Sequence, residues 1–145
     1  HHHQKLWQIV EDQLRIKMAG RSFDETKAKI DNCFAYGYGT VLFFEDKAVV
    51  ENLQESFPAY KHKFPEWSHH TSAMHQFAVW TMLEDAGFGA SLQHYNPLID
   101  EEVIKEWNLP EEWELIAQMP FGAPVAEPGE KSFESLAKRV KVFKS

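Results

Sequence analysis

The stretch from Ser72 to Ala86 constrains this chain most. Met74, Phe77, Ala78, Trp80, Thr81 and Leu83 put apolar or weakly polar side chains around most of a helical circumference. A helix of that kind is expected to be central and covered on several sides, because each uncovered apolar face costs hydration free energy. At 145 residues, with a hydrophobic share of 43% and an aromatic share of 14%, the chain can supply such a cover within one domain. A piece of a larger domain would have the same length and composition.

The segment after that helix is the best binding-loop candidate. Gly87 and Gly89 end the helix, since glycine reaches conformations that a Cβ forbids. Ala90, Ser91, Leu92, Gln93, His94, Tyr95 and Asn96 follow, and Pro97 stops regular structure. Such a segment can lay main-chain donors and acceptors against a flat ligand while Leu92 stays in the core.

Elsewhere the pattern alternates helices with short strands. Leu6, Ile9, Val10 and Leu14 line one face of a helix from about Gln4 to Ala19, stopped by Gly20. Ser22 and Asp24 are candidate caps for a second helix carrying Ala28, Ile30 and Phe34 and ended by Gly37 and Gly39. Thr40 to Phe44 is apolar on both faces, the pattern of a strand covered on both sides. Asp46 caps a helix with Val49, Val50 and Leu53. Phe57 to Pro65 reads as an aromatic loop or lid, and Asp100 caps a short helix ending near Trp107. Trp113 to Met119 reads as a strand, and Lys131 to Ser145 is a basic tail. Strands separated by helices argue for an α/β or α+β layered domain.

Several functions are disfavoured. The net charge of −7 with no basic run speaks against nucleic acid as a partner, because phosphate neutralisation needs clustered Lys and Arg. No apolar run reaches membrane-spanning length. The single cysteine, Cys33, excludes an intrachain disulfide and suits a reducing compartment such as the cytoplasm. No nucleophile elbow, glycine-rich dinucleotide fingerprint or Walker sequence is present. His62, His69, His70, His75 and His94 lack the tight spacing of zinc ligands and read mainly as solvated or interface residues, so no metal is expected. The tryptophans read as core or interface, although Phe57, Tyr60, Phe64 and Trp67 are candidate walls of a flat pocket. His1, His2 and His3 read as a tag remnant or a cut site and are set aside, leaving 4–145 as a single domain.

The segment Gly89 to Asp100 resembles the flavin-facing segment of the nitroreductase family, within the branch of small fungal and bacterial nitroreductase-like oxidoreductases. Four further blocks agree in the same order: Gly39 to Asp46, Phe64 to Ser68, Trp107 to Pro110 and Pro128 to Lys131. The resemblance runs from Leu6 to Phe143. It implies a three-layer α+β fold with a central, mainly antiparallel sheet, formed as an intimate homodimer. It further implies FMN as cofactor, NAD(P)H as co-substrate and hydride transfer through flavin N5 to a small nitroaromatic or quinone-like electron acceptor.

Under that resemblance the backbone of Ser91, Leu92, Gln93, His94 and Tyr95 meets the flavin ring edge. A main-chain N–H at His94 or its neighbour hydrogen-bonds N5. Lys131 and Arg139 match the cations that hold the phosphate, against the plainer reading of a solvated basic tail. No side chain is assigned a catalytic role, since the cofactor carries the chemistry. The family's N-terminal phosphate-binding Arg and its Ser/Asn-rich loop match nothing here, so the domain is expected to be N-terminally incomplete. A non-enzymatic flavin-binding or regulatory relative, a truncated form unable to hold FMN, and a metal-binding protein built on His62 to His75 are the alternatives.

Overall fold

The computed structural model describes residues 1–19 and 21–144. In chain order it has helix α1 (His2–Lys17), helix α2 (Asp24–Lys29) running into a π-helical stretch (Ile30–Ala35), strand β1 (Gly39–Asp46) and helix α3 (Lys47–Ser56). A 3₁₀ turn (Pro58–Tyr60) leads to the long helix α4 (Phe64–Asp85) and then to strand β2 (Gly89–Ala90). Helix α5 (Asp100–Trp107), strand β3 (Trp113–Gly122) and helix α6 (Leu136–Arg139) complete the chain. The expected helix stop at Gly20 and the tail's final Ser145 lie outside the described residues.

The strands form one antiparallel sheet in the order β1-β3-β2. Leu42 pairs with Gln118 and Phe44 with Leu115, while Phe43 pairs with Ala117, so Ile116 is an extra, bulged residue. That insertion resets the two-residue alternation and puts Leu115 and Gln118, three apart, on the same face as Leu42 and Phe44. On this face α1 contributes Leu6, Trp7, Ile9 and Val10, which pack with Ile30, Phe34, Ile99, Val103 and Leu115. Trp7 stacks on Phe34 with centroids 4.9 Å apart and meets Tyr95 edge-on at 5.9 Å. Helix α4 packs against β1, β2 and α3. Helices thus flank an antiparallel sheet, the expected three-layer α+β fold.

Local chemistry explains the element ends. Asp46 caps α3 as anticipated, its carboxylate accepting from the Ala48 N–H at 3.0 Å. Helix α4 closes with Gly87 at φ +85°, where Gly87 N–H returns to Glu84 O and Phe88 N–H to Leu83 O, each at 2.9 Å. Two expected caps are not made. Phe23 and Ile99 occupy the cap positions of α2 and α5, and Asp24 and Asp100 are instead the first helical residues, where an acidic side chain meets the positive end of the helix dipole. The Asp100 Oδ1 is buried without a partner among the described residues, and burial pushes its carboxyl pKa up, with Glu114 adding to the effect.

Helix α4 differs from expectation in length and cover. It begins at Phe64 rather than Ser72, with Pro65 in its first turn, where a missing N–H costs nothing. Most of the supposed aromatic lid is therefore the 3₁₀ turn and the start of this helix. Its buried residues are Ser72 and Gln76, whereas Met74, Phe77 and Met82 are 71%, 70% and 71% exposed, and Ala78 and Thr81 are exposed too. The elements that pack on α4 reach one of its faces only, so the apolar stripe on the other remains open.

Strand β1 is likewise half-buried along its whole length rather than fully covered, and its outer edge has no partner strand among the described residues. Beside it lies a largely apolar cavity of about 550 Å³ lined by His3, Leu6, Thr40, Leu42, Phe44 and Trp107, among others. The histidines set aside in the sequence are built into this region. Trp7 Nε1–H donates to Thr40 Oγ1 at 3.0 Å, and His3 Nδ1 lies 2.9 Å from the same oxygen. With the Thr40 proton directed to Nδ1, the other ring nitrogen of His3 donates to Ala35 O at 3.1 Å. Trp107 Nε1–H donates to His2 Nδ1 at 3.0 Å.

Candidate functional site

Residues 89–97 leave α4 and run along the β2 edge of the sheet. After Gly89 and Ala90, the Ser91 N–H donates to Pro120 O at 3.1 Å, and Gln93 and Gln118 exchange main-chain bonds of 2.7 and 2.9 Å. The chain then turns over the sheet, and Tyr95 N–H donates to Gln118 Oε1 at 2.7 Å. Gln118 Nε2–H reaches Asn96 Oδ1 at 3.3 Å, just before the cis Asn96–Pro97 bond.

The N–H groups of Ser91, Gln93 and Tyr95 are therefore used internally. Those of Leu92 and His94, which alternate with them, have no acceptor among the described residues. The segment offers an outside ligand two main-chain donors on the free edge of the sheet. The Ser91 hydroxyl accepts from Gln93 Nε2 at 3.2 Å, and the His94 side chain is exposed. Leu92 is half-buried rather than a core residue. The Tyr95 ring packs against Trp7 and Phe34, and burial pushes its phenol pKa up.

The other candidates lie apart from this edge. Lys131 and Arg139 are exposed in the C-terminal tail, and neither makes a hydrogen bond or ion pair to residues 91–95 among the described residues. His62, His69, His70 and His75 are exposed along α4 and the turn before it, and no group of three or more His, Cys, Asp or Glu converges as a metal site among the described residues. Phe57, Tyr60, Phe64 and Trp67 form a chain of ring contacts with centroids 5.4–6.1 Å apart, from the end of α3 to the first turn of α4. The cavity beside β1 is at the opposite edge of the sheet from that segment. No described helix is long and apolar enough to cross a membrane.

Gln118, which anchors this segment, carries no assignment from the sequence alone. Its signal was present: a lone amide in the run Leu115-Ile116-Ala117-Gln118-Met119, which is expensive to bury unless its hydrogen bonds are met.

The model of the nitroreductase family matches residues 1–123. The chain belongs to the nitroreductase family. A putative nitroreductase of Saccharomyces cerevisiae, HBN1, is 44% identical over 66% of this chain and 49% of its own length. The nitroreductase FRM2 of the same yeast is 35% identical over 90% of this chain and 63% of its own length. The chain thus spans about half to two-thirds of the curated relatives it matches. Among solved structures, the nitroreductase CinD from Lactococcus lactis in complex with chloramphenicol superposes with a TM-score of 0.87 at 49% identity, covering 98% of this chain and 71% of CinD. CinD in complex with 4-nitrophenol gives a TM-score of 0.85 at the same identity and coverage. The chain thus has the three-layer α+β fold that the resemblance implied.

Proposed function

We propose that the protein carrying this chain is an FMN-dependent NAD(P)H oxidoreductase of the nitroreductase type, acting on nitroaromatic or quinone-like acceptors. It works as a homodimer in the cytoplasm, a reducing compartment in which the exposed Cys33 stays a free thiol. The observation that carries this reading is the pair of outward N–H groups at Leu92 and His94. They lie in the segment whose resemblance to the family marks it as the flavin edge. A flat heteroaromatic ring with acceptors on its rim suits such an edge, and a neutral main-chain donor binds it without adding charge.

The chain's residues have distinct roles. Leu92 or His94 holds the ring edge through its main-chain N–H, and Lys131 and Arg139 supply the cations for the phosphate. The flavin, when bound, supplies the hydride acceptor and donor. The side chain of His94 takes no part as acid or base. CinD has been solved in complex with 4-nitrophenol, whose nitroaromatic ring is the acceptor class proposed for this protein.

The test is NADH and NADPH oxidation by the FMN-reconstituted protein, with and without 4-nitrophenol. Acceptor-dependent turnover supports the proposal. Bound FMN without turnover favours a flavin-binding or regulatory relative.

A further inference from the structure

We infer that Gln118 is a positioning residue for this edge: its side-chain amide holds residues 93–96 in the shape that leaves the Leu92 and His94 N–H groups facing outward. The inference rests on the flavin reading above. Gln118 is completely buried between Ala117 and Met119, themselves completely buried. A buried amide is tolerated only when its donors and acceptors are engaged. Here four bonds of one residue bracket His94. The main chain of Gln118 holds Gln93 in both directions, Oε1 takes the Tyr95 N–H, and Nε2 reaches Asn96 Oδ1.

The side chain is needed because the ladder ends there. After Gln93 and Gln118, the next antiparallel pair would be Tyr95 with Ile116. Ile116 is the bulged residue, and the Tyr95 N–H goes to the Gln118 side chain instead. The amide replaces the missing ladder bond and lets the chain turn over the sheet at His94. Without it, the Tyr95 N–H would be a further unpaired donor beside the ligand edge, and the turn would lose its anchor. The single amide therefore decides which N–H groups a ligand meets.

The test pairs amide hydrogen exchange with FMN titration in the intact chain. Gln118→Met keeps the volume and removes both polar contacts. Leu6→Ala is the control, destabilising the core beside the β1 edge of the sheet, away from the segment. Gln118→Met is expected to speed exchange at Tyr95 at least tenfold and to weaken FMN binding at least tenfold. Leu6→Ala should leave FMN binding within twofold despite a lower melting temperature. Should Gln118→Met not fold, Asn96→Ala cuts only the Nε2 contact and should weaken FMN binding about threefold. Unchanged Tyr95 exchange, or FMN affinity within twofold of the parent in the Gln118 and Asn96 variants, overturns the inference alone. A parent chain that takes up no FMN overturns the flavin reading and this inference with it.

Discussion

The indole N–H of Trp7 donates to the hydroxyl of Thr40 across 3.0 Å, joining α1 to the edge strand β1. Trp7 is 1% exposed, so its N–H has no water to turn to. Thr40→Val keeps the shape and removes the acceptor, and it also takes one of two partners from His3. An orphaned buried donor costs about 1–3 kcal/mol, and the variant should lose that much stability in urea unfolding. Unchanged stability would show that the contact is dispensable.

Acid should weaken the fold through two groups. The Arg15 guanidinium, and then Lys27, hold the Glu11 carboxyl below its ordinary value of 4.5, although burial opposes them. A depressed folded-state value means that the unfolded chain binds the proton more readily. The stabilisation is therefore complete above 4.5 and lost as pH falls through the folded value. Burial likewise depresses His3 below 6.5, so stability also declines as pH drops beneath that value. Melting temperatures from pH 7 to 3 should fall in the parent, and Glu11→Gln should flatten the lower part of the curve. A variant curve parallel to the parent's throughout would contradict the Glu11 account.

His94 separates main-chain from side-chain recognition. His94→Ala preserves the N–H and should bind FMN within about twofold of the parent, as an exposed side chain with no assigned role implies. His94→Pro removes the N–H, which has no acceptor among the described residues, and should weaken binding about five- to tenfold, the worth of one main-chain hydrogen bond. Loss of binding in the alanine variant instead would assign the role to the imidazole.

The open stripe of α4 predicts association. Met74, Phe77, Ala78, Thr81 and Met82 follow the i, i+3, i+4, i+7, i+8 spacing of one helical face, and all are exposed. Sedimentation should give twice the chain mass. Phe77→Glu should raise the dimer dissociation constant about 30-fold or more, the effect of burying a charge at a central contact. A monomer at all concentrations would overturn the dimer proposal.

Much of the fold was legible because local rules act on neighbouring residues. Asp46 before Lys47-Ala48 and Gly87 after Asp85-Ala86 marked their helix ends from side-chain chemistry alone. The start of α4 was missed because Pro65 reads as a breaker, although a proline in the first helical turn is harmless. The burial of α4 was misjudged for a different reason. Apolarity around Met74 and Phe77 shows that a cover is wanted, not which molecule provides it. At the site, the glycines, polar residues and Pro97 marked the segment, but the N–H alternation depends on the register of Gln93 against Gln118. That register, and the Ile116 bulge that ends it, connect residues more than twenty positions apart and have no local signature.

The visible absorption spectrum of the purified protein, before and after addition of FMN, tests the central claim most directly. The account predicts a flavin band that stays with the protein through gel filtration at one FMN per chain. A colourless protein that takes up no added FMN would contradict it and leave this chain a member of the family by descent and fold alone.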